Sequence, residues 1–307
     1  MQTTVRTRVA FRGTGLHSGR PARMTLKPAR AGHGVVFYRS DIGGPDSVIP
    51  ARWDLVEISP LCTKLVNAAG VSISTVEHLM AALAGLGLHN VRIEIDGPEV
   101  PILDGSAAPF VRAIMHGGLR VLEAPIQAIQ ILRPIEVRRD DAMARLDVAS
   151  ELSIDFSIDF DNAAIGRQER VLNMRNGAFV RTLCDSRTFC LQTDVDRMQA
   201  NGLALGGTYH NAVVFDGDRV LSPGGLRHAD EPVRHKMLDA LGDLALAGAP
   251  ILGRYTGVRA GHALTNQLLR ALFADRSAWR LVDCDPSQAR GLPGAGVTHH
   301  DLALCAA

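Results

Sequence analysis

The sequence predicts an α+β fold rather than a doubly wound parallel sheet, on three observations. Strands and helices come in clusters instead of strict alternation. A turn-rich segment from Leu122 to Gln127, containing Pro125, separates two such clusters. The length, 307 residues, suits two domains of ordinary size. The expected boundary places an N-terminal domain at 1–124 and a C-terminal domain at 125–307.

In the first cluster, Ser74-Thr75-Val76-Glu77 has the form of a capping box, in which a Ser hydroxyl and a Glu three residues on satisfy each other's free amides. Val76, Leu79, Met80, Leu83 and Leu86 follow at helical spacing, and Gly85-Leu86-Gly87 ends the helix. Val91, Ile93 and Ile95 alternate with Arg92, Glu94 and Asp96 as a half-buried strand. A second helix is predicted from Ser106 to Gly117-Gly118, with Pro109 in its first turn. In the second cluster, strands are predicted over Ile129 to Val137 and Ala142 to Val148, around the turn Arg138-Arg139-Asp140-Asp141. Leu152, Ile154, Phe156, Ile158 and Phe160 alternate with polar residues as the clearest strand. Ala212 to Phe215 and Arg219 to Leu221 flank Asp216-Gly217-Asp218 as a hairpin. Helices come last, over Pro232 to Gly248 and His262 to Ala274. His78-Leu-Met-Ala-Ala-Leu-Ala echoes His235-Lys-Met-Leu-Asp-Ala-Leu, which is as compatible with chance as with a duplicated fold.

Composition excludes several classes. Lys+Arg 33 against Asp+Glu 32 lacks the concentrated positive charge of a nucleic-acid binder. The longest nearly uncharged apolar stretch, Leu79 to Leu88, has 10 residues, half of the roughly 20 that a spanning helix needs. Neither a signal-peptide core nor a basic amphipathic anchor is evident, so a cytoplasmic protein without a stable membrane anchor is expected, and a monomer. Five cysteines with no CxxC spacing argue against a disulfide framework or a cysteine-rich zinc module.

The chemistry is concentrated on the late helix. With His235 at zero on a wheel of about 100° per residue, Asp239, Asp243 and Lys236 fall at about 40°, 80° and 100°. Leu244, Met237, Leu241, Ala245 and Leu238 occupy the opposite side. A His and an Asp four residues apart can each reach one zinc ion. The same spacing also describes a solvated face with a charge pair, and HxxxD pairs arise by chance. A third ligand would come from Glu77-His78, where the acid beside the histidine could take a proton from metal-bound water. Glu77 is equally readable as a capping residue. Gly261-His262 offers a proton donor or a surface histidine.

At these residues the chain resembles the UDP-3-O-(3-hydroxyacyl)-N-acetylglucosamine deacetylases, zinc amidases that commit Gram-negative bacteria to lipid A synthesis. The resemblance runs from Thr14-Gly15-Leu16-His17-Ser18-Gly19 to the last helix. It is carried by Ser74 to Leu79, Ala82 to Gly87, Pro101 to Phe110, Arg187-Thr188-Phe189, Val233 to Asp239 and Gly261-His262-Ala263-Leu264. It implies two domains of similar topology, each a helix layer on a β-sheet, with the active site between them. His78, His235 and Asp239 would then be the zinc ligands, with water completing the tetrahedron; Fe²⁺ also accepts such ligands. Glu77 would be the general base, and zinc and Thr188 would stabilise the oxyanion. His262, oriented by Asp243, would protonate the leaving amine, unless Glu77 returns the proton itself.

The resemblance also places the substrate, a UDP-linked acylated glucosamine. Lys236 would serve the diphosphate. An insert over about 191–209, with Leu191, Val195, Met198, Leu203 and Leu205, would form the acyl passage or merely pack on the core. Phe189 would contact substrate or hold Thr188. Cys62 lies close to the site as a soft ligand for excess zinc. His17 would be structural or peripheral. Gln267 and His210-Asn211 depart from the family pattern, which bears on acyl-length preference and outer contacts. The dehydratase domain appended in some relatives is not expected after Ala307. Two other readings predict UDP binding or amide hydrolysis alone: a sugar-nucleotide binder without turnover, and a zinc amidase with another acetylated substrate.

Overall fold

The computed structural model describes residues 1–59 and 61–305, without the side chains of 303–305, so the end of the expected second domain at Ala307 falls outside the described residues. Two five-stranded sheets organise it. The first comprises β1 (Val9–Thr14), β2 (Pro21–Pro28), β3 (Val35–Arg39), β4 (Val48–Pro50) and β5 (Val91–Ile95) in the order β1-β2-β5-β3-β4. The second comprises β6 (Ile135–Arg139), β7 (Ala142–Asp147), β8 (Ser153–Asp159), β9 (Arg167–Asn173) and β10 (Arg254–Val258) in the order β6-β7-β10-β8-β9. Both sheets thus read first-second-fifth-third-fourth. In each, the fifth strand runs parallel to the third, and every other pairing is antiparallel. The echo between His78 and His235 therefore sits on two copies of one topology, in a mixed α+β architecture.

Each sheet has a helix before its last strand and another after it. In the first half these are α1 (Glu77–Gly85) and α2 (Ala108–Gly117). In the second, α3 (Gln192–Ala200) belongs to the insert, and α4 (Glu231–Ala245) and α5 (His262–Ala274) occupy the equivalent places. Helices α1 and α4 pack against each other at the centre of the molecule. Burial explains this, since nearly every residue of α1 is buried, as are Val233, Met237, Leu238, Leu241 and Leu244 of α4. Gly242 sets their approach. A Cβ there would stand 2.1 Å from the carbonyl oxygen of Glu77, so hydrogen is all the contact admits. The first turn of α1, with Glu77 and His78, is thereby held about one helical turn from Asp239 and two from His235.

Several local expectations are corrected. Ser74 does not cap α1: Thr75 takes a left-handed conformation (φ 57°), which turns the Ser74 hydroxyl to the Pro98 carbonyl. Glu77 is thereby released from capping. The strand predicted over Ile129 to Val137 is two strands, Gln127–Ile131 and Ile135–Arg139, interrupted before Ile135 by Pro134, which has no amide hydrogen to pair. Helix α2 begins at Ala108, with Pro109 in its first turn as expected. Among the described residues, no helix is long and apolar enough to cross a membrane. Cys62, Cys190 and Cys284 are free thiols.

Candidate active site

His78, His235 and Asp239 are all buried, and one donor atom from each lies within 4.8 Å of the others. Asp239 Oδ1 stands 3.3 Å from His235 Nε2 and 3.6 Å from His78 Nε2. Ligands about 2.0–2.1 Å from a tetrahedral ion stand about 3.3–3.4 Å apart. The two imidazoles meet edge to face, with centroids 4.9 Å apart. Oδ1 is buried and makes no hydrogen bond. Such an orphaned acceptor costs about 1–3 kcal/mol, and more when charged. A cation among the three atoms removes that cost, so the residues fit a metal ion.

The surrounding bonds leave these donors free. His235 Nδ1 donates to the Ser186 carbonyl at 3.0 Å, which fixes the tautomer and presents Nε2 as a lone pair. Asp239 spends its other oxygen, Oδ2, on the Lys236 ammonium at 2.6 Å. Burial, reinforced by the neighbouring His235 ring, pushes His78 down to about 3, which keeps it a neutral ligand. Burial would raise Asp239, but its neighbours, His235 and the Lys236 ammonium foremost, hold its carboxyl well below the usual carboxylate range.

An acid–base pair adjoins the triad. Glu77 is buried, and burial with the Asp239 and Asp243 charges pushes it up to about 7, against the lowering pull of His262. Its Oε1 faces His262 Nε2 at 3.8 Å. His262, the first residue of α5, donates from Nδ1 to Asp243 Oδ2 at 2.8 Å. Burial opposes charge on that ring, yet Asp243, Glu77 and Asp239 prevail and raise it to about 9. The pair is thus a carboxylate that can accept a proton near neutrality and an imidazolium that can give one.

A cavity of about 530 Å³ opens onto these groups. Its walls include His235, Lys236, Asp239 and His262 at one end and Phe160, Thr188, Phe189, Leu191, Met198 and Leu203 elsewhere. Phe189 stands edge-on to the His235 ring, with centroids 6.4 Å apart. Thr188 is held through its backbone, by its amide on the Gly105 carbonyl and its carbonyl on the Val213 amide. Gly105 has to be glycine, because φ is +83° and a Cβ would strike the Asn211 carbonyl.

Residues 2–274 match the family described as LpxC: UDP-3-O-acyl N-acetylglycosamine deacetylase. The chain belongs to this family. A UDP-3-O-acyl-N-acetylglucosamine deacetylase of Phenylobacterium zucineum is 49% identical over 280 residues, covering 91% of this chain and 96% of the relative. Its counterpart in Anaeromyxobacter sp. is 48% identical, over 92% of this chain and 91% of the relative. That of Shewanella frigidimarina is 46% identical, over 92% and 93%.

For this deacetylase-family chain, ten of the residues expected at the site come together around one cavity. His78, His235, Asp239, Glu77, His262 and Asp243 form the polar cluster, and Thr188, Phe189, Leu191 and Lys236 line the cavity. Cys62 is buried outside the cavity wall, and burial together with the Glu77 charge pushes its thiol up to about 12, so it stays protonated. Of the insert residues, Leu191, Met198 and Leu203 line the cavity; Val195 and Leu205 do not. Leu205 and Gly206 instead bond through their amides to the His17 and Leu16 carbonyls, tying the insert to the N-terminal half. Sequence reasoning missed Thr63, whose amide donates to Glu77 Oε2 at 3.0 Å and whose hydroxyl donates to Asp243 Oδ1 at 2.5 Å. It also missed the buried Arg187–Glu231 pair, 2.9 Å apart, which anchors the start of α4 to the Thr188 segment.

Proposed function

We propose that this chain hydrolyses the acetamide of UDP-3-O-acyl-N-acetylglucosamine, giving acetate and the free amine, with zinc as the resident metal. The observation that carries the reading is the orphaned Asp239 Oδ1 between two imidazole nitrogens, beside a carboxylate of raised pKa and a cationic histidine. The printed activity of the relatives supports the substrate. We take 1–124 and 125–307 as the two domains, in a cytoplasmic monomer.

His78, His235 and Asp239 would hold the zinc, which supplies Lewis-acid polarisation of the carbonyl and acidification of water. Glu77 takes the proton from the attacking water. The Thr188 hydroxyl donates to the oxygen on which negative charge develops. His262, kept protonated and aimed by Asp243, neutralises the tetrahedral adduct and gives its proton to the departing nitrogen. Lys236 offsets the Asp239 charge and faces the cavity, where a phosphate of the nucleotide can meet it. Phe189, Leu191, Met198 and Leu203 give the acyl chain an apolar wall.

The decisive assay is acetate release from the acylated substrate, expected to vanish with a chelator and return with Zn²⁺. UDP binding without acetate release would make the chain a nucleotide binder. Equal rates with and without the acyl chain would assign it another substrate.

The rate should also be bell-shaped in pH. Activity needs Glu77 ionised, so it falls below about 7, and needs His262 protonated, so it falls above about 9. A bound cation moves the acid limb lower, never higher. His262→Gln should remove the alkaline limb, and a limb unchanged in that variant would reassign the acid.

A further inference from the structure

Thr63 precedes the short strand Lys64–Val66 and is nearly inaccessible, with 2% of its surface exposed. Its backbone amide and its hydroxyl point to two different members of the acid–base cluster. The amide holds Glu77 Oε2 at 3.0 Å. The hydroxyl holds Asp243 Oδ1 at 2.5 Å, and Asp243 Oδ2 holds the imidazole of His262 at 2.8 Å. Four elements are therefore joined in one line: Glu77, Thr63, Asp243, His262.

A buried carboxylate can turn about its χ2 angle unless both oxygens are bonded. Asp243 has two bonds of opposite use, one to the ring it aims and one to the hydroxyl that stops it turning. Without the hydroxyl, Oδ1 loses its partner where no water is certain to replace it, and the aim of His262 relaxes. The Glu77 carboxylate is fixed from the same residue, so the spacing between proton acceptor and proton donor is set by one threonine.

We infer that Thr63 is the positioning residue of this site, holding general base and general acid in mutual register from a single backbone position. The inference rests on the deacetylase reading and deepens it. Outer-sphere partners of this kind are typically worth 10–100-fold in activity.

The test uses the whole zinc-loaded chain. Thr63→Val keeps the shape and the amide but deletes the hydroxyl. It is expected to lower kcat about 10- to 100-fold with KM changed less than about threefold, while the metal content stays at that of the wild type. Thr63→Ser, which restores a hydroxyl, should recover most of the loss. In an Asp243→Asn background the Thr63→Val change should cost less than about threefold, because the group it restrains is already altered. Independently of turnover, the Nδ1 proton of His262 should shift in the NMR spectrum of Thr63→Val and return toward wild type in Thr63→Ser. Wild-type kcat in Thr63→Val, failure of Ser to rescue, or full additivity with Asp243→Asn would each overturn the inference. If the wild-type chain releases no acetate, the parent reading fails instead, and the NMR shift still decides whether Thr63 restrains the pair.

Discussion

Alanine at His78, His235 or Asp239 is expected to abolish stoichiometric metal binding and acetate release together. Two remaining donors do not hold a borderline divalent ion in a site shaped for three. The loss of Lewis-acid stabilisation, worth several kcal/mol, corresponds to a fall of about 10³-fold or more in kcat. The three variants should not be equivalent. Removing Asp239 leaves the Lys236 ammonium facing two imidazoles without its 2.6 Å partner, so the pocket becomes repulsive to any cation. Removing His78 empties one corner of the triad but leaves the Lys236–Asp239 pair intact. Metal analysis of the purified variants, beside an acetate assay, checks the ranking. Variants that keep one metal per chain and full activity would eliminate the triad.

Glu77→Gln is expected to do the reverse, keeping the metal and losing about 10²–10⁴-fold in turnover, the span for a positioned general base. The amide oxygen of Gln can still accept the Thr63 N–H, so the first turn of α1 stays in place. What disappears is a group able to take a proton. The discriminating pair of measurements is zinc content and kcat. A fall in both would mark Glu77 as a support of the metal site, and a fall in neither would hand proton abstraction to another residue.

Much of this was visible in the letters because the decisive residues lie on helices. The His235–Asp239–Asp243 face follows from periodicity, and α5 runs over the predicted His262–Ala274. Helical spacing alone left two meanings for that face, and the Glu77-His78 pair stayed ambiguous while a capping box was equally good. What resolved it was the left-handed Thr75, whose hydroxyl bonds the buried Glu99. Nothing local announces that conformation, since threonine seldom adopts it. Thr63 was illegible for another reason. It sits in a turn-rich stretch without periodicity, and its hydroxyl partner is 180 residues away. Strand β9 was hidden because its alternation runs through Arg167, Glu169 and Val171 on an exposed face, so no apolar period stands out.

The contact at Gly242 carries a thermodynamic corollary. One wing of the molecule carries His78 and the other His235 and Asp239, and the three are brought to one point where α1 rests on α4. An ion bound there adheres to the joined form alone and tightens the joint in proportion to its own affinity. The dissociation constant for metal is therefore also a gauge of how firmly the wings are seated, and a methyl group at position 242 would register on it without touching a single ligand.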